Sequence, residues 1–152
     1  MDIRNIVTVA YFVLAIYGFG GGVMSGVVYY PSWKLVSAED LPAVHKYVVS
    51  HFTYYFLPFV FLLVLVNILL ISFHHPAMST PLIVITAALH LFILVVSLTL
   101  FLPIHNQLDK AKSVELIDRL IAYDRYLRDF PGCIIMAATI IMLYQVVRVS
   151  SR

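Results

Sequence analysis

Long apolar runs alternate with short polar breaks along this chain, and the runs are of membrane length. A helical span needs roughly 20 mostly apolar residues. Ile6 to Tyr30, Phe52 to Phe73 and Leu82 to Pro103 meet that requirement, and Cys133 to Val147 does so with apolar support upstream. The pattern predicts four helices at about 5–30, 43–73, 82–108 and 113–147 in a single domain, with no repeat or flexible linker. The link "HHPAMSTP" (74–81), edged by Pro76 and Pro81, is short enough to make the second and third helices antiparallel neighbours. Ser37 to Asp40 reads as the start of helix 2, with acids in its first turn. Pro58 should bend helix 2, and Pro131-Gly132 should kink or briefly open helix 4.

The expected fold is an all-α integral membrane protein, an up-down antiparallel bundle of four transmembrane helices. The helices exceed a bilayer on one side, so the bundle should project there, at the face carrying the connections near 31–43 and 109–115. Composition agrees: 62% of the 152 residues are hydrophobic and only 12% charged, with a mean hydropathy of +0.95, whereas soluble domains carry about 25% charged residues. The first run is too long for a cleaved signal peptide and holds "GFGGG" at its centre. A single cysteine, Cys133, excludes an internal disulfide, and a net charge of +2 argues against nucleic acid. Counting Lys and Arg places the projecting face in the cytoplasm. The compartment expected is the bacterial inner membrane, the partners expected are membrane lipids and a small hydrophobic ligand, and homo-oligomerisation is left open.

The bundle topology brings four helix ends together at the projecting face, and the polar residues concentrate there. Helix 2 opens with "VHKYVVSHFTYY", holding His45, His51, Tyr54 and Tyr55; helix 3 closes with "PIHNQLD", holding His105, Asn106 and Asp109. Helix 4 opens with "SVELIDRLIAYDRYLRDF". There, Leu116, Leu120, Tyr123 and Leu127 form a stripe for the bundle interior. Asp118, Arg125 and Asp129 fall on the opposite, solvated side, with Arg125–Asp129 and Glu115–Arg119 as i, i+4 pairs. Asp124 and Arg128 also pair at i, i+4 but continue the Ile117 and Ile121 stripe. They are either a pair on the bundle's shoulder or an inward-facing pair that binds substrate or orients a histidine.

His45, His51, His105 and Asp109 could hold a metal, but no HExxH or CxxC spacing supports one, so metal and cofactor stay unassigned. An acid/base histidine tuned by Asp109 or Asp124 requires fewer coincidences. His90, alone in mid-span, reads as a helix–helix hydrogen bond, and His74 and His75 as interfacial. Tyr29, Tyr30, Trp33 and Lys34 suit a membrane interface. "GFGGGVMSG" (18–26) either permits close helix approach or leaves room for a flat hydrophobic ligand.

Taken together, four spans, "YPSW" after helix 1, a histidine near the start of helix 2, "PIHNQLD" and "LIDRLI…YLR" resemble the anthrone-oxygenase-like family of small membrane proteins. Pro103, Ile104, His105 and Leu108 match that family's motif after its third span. In the motif opening the fourth span Arg128 matches the arginine, while Tyr126 stands for a tryptophan and Arg125 for an asparagine. The resemblance implies oxidation of an anthrone-like substrate without a recognised cofactor motif. His45, His105, Asp124 and Arg128 are then the catalytic candidates, and His51, Tyr55, Asn106, Asp109 and Arg125 the substrate-binding ones. The alternative is a non-enzymatic membrane protein that binds a lipid, quinone or haem, or conducts protons.

Overall fold

The computed structural model describes residues 2–150 and contains, among them, four long helices and no strand. They are α1 (Ile3–Trp33), α2 (Leu41–Phe73), α3 (Thr80–Leu108) and α4 (Val114–Val149), each long and apolar enough to cross a membrane. Consecutive helices pack side by side and α4 closes against α1, giving an antiparallel four-helix bundle. Most of the outer surface is apolar, including Val13, Leu65, Phe92 and Ile140, as expected of a surface that faces lipid.

The termini differ in detail from the sequence pattern. Helix α1 continues through "YPSW" to Trp33, and α2 begins at Leu41 with Pro42 in its first turn, where a missing N–H costs nothing. Ser37 Oγ accepts from Asp40 N–H at 3.0 Å just before that start. Ser113 caps α4, its side chain accepting from Leu116 N–H at 3.2 Å.

Three helices contain a π-helical turn: Ser25–Tyr29 in α1, Ser97–Phe101 in α3 and Arg125–Asp129 in α4. Each is followed two residues later by proline, namely Pro31, Pro103 and Pro131. The cause is local. A proline ring collides with the carbonyl four residues back and cannot donate to it, and in all three helices that carbonyl belongs to the π turn. The chain bonds i→i+5 instead: Tyr30 N–H to Ser25 O, Leu102 N–H to Ser97 O, and Phe130 N–H to Arg125 O. The opening expected at Pro131 thus lies just before it, and the same device recurs in two further helices.

Buried side chains form two clusters. One, in the half nearer the termini, is built from Tyr11, Leu63, Leu70, Ile83 and Met142. The other, at the projecting end, contains Tyr30, Trp33, Leu41, Phe101, Ile104, Leu108, Ile117 and Leu120. Interhelical hydrogen bonds support the first: Tyr11 to Thr139 at 2.9 Å joins α1 and α4, and Asn67 to Thr86 at 3.3 Å joins α2 and α3. Cavities lie between and beside the clusters, and they define the candidate site.

Candidate functional site

At the projecting end three side chains from two helices form a continuous hydrogen-bonded chain. Asp109 Oδ1 lies 2.7 Å from His45 Nδ1, and His45 Nε2 lies 3.0 Å from His105 Nδ1. Asp109 is 34% exposed, His45 is fully buried and His105 is half-buried, so the chain runs from the surface inward. An ionised carboxylate only accepts, which assigns the Nδ1 proton of His45 to that bond. The bare Nε2 of a neutral His45 then accepts from His105 Nδ1–H. His105 keeps a free Nε2 lone pair, the arrangement of an oriented base.

Aromatic rings fix these histidines. Trp33 stands edge-on to His45 with ring centroids 4.6 Å apart and to His105 at 5.8 Å, and Tyr30 packs on His105 at 5.9 Å. Tyr30 and Trp33, expected in the membrane interface, are buried inside the bundle. The turn at Ser25–Tyr29 carries α1 onward so that "YPSW" closes over the histidines.

Asp124 and Arg128 face inward. Asp124 is 1% exposed and Arg128 14%, with Arg128 Nη1 3.1 Å from Asp124 Oδ1. That nitrogen donates to the Tyr30 hydroxyl at 3.1 Å, and the guanidinium lies over the Phe101 ring, 4.9 Å from its centroid. Neither Asp124 oxygen has a hydrogen-bond donor in bonding geometry, so the pair is held by charge and packing in a poorly solvated place. Gly26 makes this placement feasible, because a Cβ there would collide with Asp124 Oδ2 and lie 3.2 Å from Asp129 Oδ2.

Asp129 corrects the sequence reading. On a regular α-helix it would share the solvated side with Arg125. Across the π turn residue 129 stacks over residue 124, and Asp129 is half-buried beside Asp124. Of the acids and bases read as solvated, Glu115 and Arg119 do pair, at 3.2 Å. Asp118 instead meets Lys34 of the first connection.

His105 and Arg128 share a cavity of about 300 Å³. Tyr30, Trp33, His105 and Arg128 supply its polar edge, and Phe52, Phe56, Phe101 and Leu102 are among its apolar walls. His51 and Tyr55 lie outside it, in an open groove of about 640 Å³ between α1 and α2, and Tyr29, Val48, Phe52 and Phe56 border both spaces. The His51 ring stacks on Tyr47 at 4.1 Å and its Nδ1 is 2.8 Å from the Tyr47 carbonyl. Asn106 and Arg125 are exposed and line none of these spaces.

Among the described residues no group of three or more His, Cys, Asp or Glu side chains is arranged to hold a metal ion. His51 is turned away from His45 and His105, and both nitrogens of His45 are already bonded. Tyr30, Trp33, Phe101 and Asp129 were not singled out as site residues. The signal that could have found them is a proline two residues beyond a five-residue turn that opens with serine or arginine, repeated three times. No protein-family model, curated protein or solved structure matches this chain.

Proposed function

We propose that this integral membrane protein is a cofactor-independent oxygenase of the anthrone-oxygenase-like type, acting on a flat, hydrophobic, aromatic substrate. The observation that carries this reading is one cavity with an oriented base, His105, on one wall and paired donors, Arg128 and Tyr30, on another. An anthrone-type methylene is acidic because its carbanion is an aromatic enolate. His105 Nε2 takes that proton, and the enolate oxygen is stabilised by Arg128 and the Tyr30 hydroxyl. The enolate gives one electron to dioxygen, and the radical pair combines to a peroxide that recovers the proton from His105. Loss of water then leaves the ketone, so one substrate and one O₂ give one quinone and one water.

His45 and Asp109 act on His105 by fixing its tautomer and carrying excess proton toward the surface. Asp124 holds Arg128 in place. A helical bundle of this kind belongs in an inner membrane, since outer-membrane spans are β-barrels, and the substrate is drawn from the lipid phase. The test is anthrone oxidation by detergent-purified protein under air, followed by quinone absorbance and oxygen uptake. His105→Ala should lower the rate by about 10²–10⁴-fold, the usual worth of a general base. Equal rates in the two proteins would remove His105 from the chemistry.

A second reading follows from the Asp109–His45–His105 chain alone, which has the form of a proton relay from the projecting face into the bundle. Proton uptake by vesicles carrying the protein, in the absence of any substrate, would favour it over catalysis.

A further inference from the structure

Below Arg128 a second cavity of about 110 Å³ continues toward the middle of the bundle, walled by Gly18, Gly22, Phe56, His90 and Gly132. Phe56, Val60, Ser97 and Arg128 border both this space and the upper cavity. The two cavities therefore adjoin, with Arg128 between them.

Helix packing does not account for two features of the lower space. A Cβ on Gly22 would meet nothing within 4 Å, so the missing side chain there leaves room without permitting any close helix approach. His90 is only 9% exposed and its Nδ1 has no hydrogen bond. Its polar neighbour is the Thr86 carbonyl one turn earlier, close enough to interact but short of full hydrogen-bond geometry. An unpartnered polar ring in mid-span is costly, and buried polar groups are ordinarily satisfied. The neighbouring Tyr11, Asn67, Thr86 and Thr139 all are. Among the described residues, the buried side-chain nitrogen and oxygen atoms without a hydrogen bond are His90 Nδ1, in a residue that lines the lower cavity, and the two oxygens of Asp124, the ion-pair partner of Arg128.

We propose that the lower cavity is a second ligand subsite, in which His90 hydrogen-bonds a carbonyl or hydroxyl on the inner edge of the ligand. A neutral imidazole can donate or accept, so it suits either group. The volume is of the order that holds about one aromatic ring, by comparison with known apolar cavities. This rests on the reading of the upper cavity as a substrate site and narrows the class: a fused-ring molecule with oxygen functions on two opposite edges, one toward His105 and Arg128 and one toward His90.

Trp33, the sole tryptophan, lines the upper cavity and reports occupancy by fluorescence quenching. The probes are 1,8-dihydroxyanthraquinone, polar on two edges, and anthracene, which has no polar group. In the full-length chain in detergent, His90→Leu should weaken the quinone about tenfold or more, as expected for one lost buried hydrogen bond. Anthracene should bind His90→Leu as it binds the native chain, and His90→Gln should recover part of the quinone affinity. Gly22→Phe, which fills the lower space, should weaken both probes. Native quinone affinity in both His90→Leu and Gly22→Phe overturns the inner subsite alone. Failure of either probe to quench Trp33 in the native chain overturns the upper-cavity reading and the subsite with it.

Discussion

In the proposed chemistry Asp109 governs His105 without lining the cavity itself. Its carboxylate can only accept from His45 Nδ1–H, whereas an amide in its place could donate and invert the whole chain of tautomers. Asp109→Asn should therefore lower kcat for anthrone oxidation by about 10²-fold or more with little change in KM, measured as initial rates of quinone formation. Gly26 is as restrictive for a steric reason. Gly26→Ala drives a methyl into the Asp124 carboxylate, and overpacking of this kind costs about 1–3 kcal/mol, to be read as a lowered unfolding midpoint in detergent. His45, His105 and Asp109 were legible in the sequence because antiparallel topology obliges those helix ends to meet. Tyr30 and Trp33 were not, since an amphipathic ring at a helix end suits the headgroup region and the bundle interior equally well. Whether Asp124 and Arg128 pointed inward was undecidable from a stripe one position away from the leucines.

At the scale of the helix, the π turns explain where periodicity misled. A hydrophobic stripe read at 3.6 residues per turn stays in phase up to Asp124 and loses it over Arg125–Asp129, which is how Asp129 changes sides. The four apolar segments and their order were readable because length and hydropathy are insensitive to a single wide turn. Side-chain direction beyond that turn is not. Pro103 is the local cause in α3, and Pro103→Ala returns an N–H donor to the Thr99 carbonyl. We expect this variant to be at least as stable as the native chain in thermal unfolding, yet about tenfold slower or worse in anthrone oxidation, because the His105 turn settles into a different register. A slower rate accompanied by lost stability would point to general damage.

For the whole molecule, the projecting end is fastened by the first connection. Lys112 donates to the carbonyls of Lys34, at 3.0 Å, and of Val36, while Lys34 pairs with Asp118. These bonds hold the strap that follows Trp33 against α4, and so hold the roof of the cavity. Lys112→Met should expose the 34–40 segment to protease several times faster, seen as cleavage of protein in sealed nanodiscs, with no loss of helical signal. The half nearer the termini is instead closed by Tyr11, Leu70, Ile83 and Met142, and His90 borders the lower cavity.

A π turn is an ordinary helix with one residue too many, and three of the four helices carry such an insertion ahead of a proline. Losing one residue from such a turn closes it to an ordinary one and leaves the helix beyond it in place. Removing Phe92, in the regular part of α3, would alter neither charge nor any polar side chain, and yet turn everything after it, to Leu108, by about 100° and draw it about 1.5 Å closer to the terminal half of the bundle. His105 would then swing away from His45, and Phe101 away from Arg128. The placement of His105 is thus set by a count of residues in an apolar stretch, 91–102, that contains no histidine. A one-residue deletion in its regular part should slow anthrone oxidation as much as loss of His105.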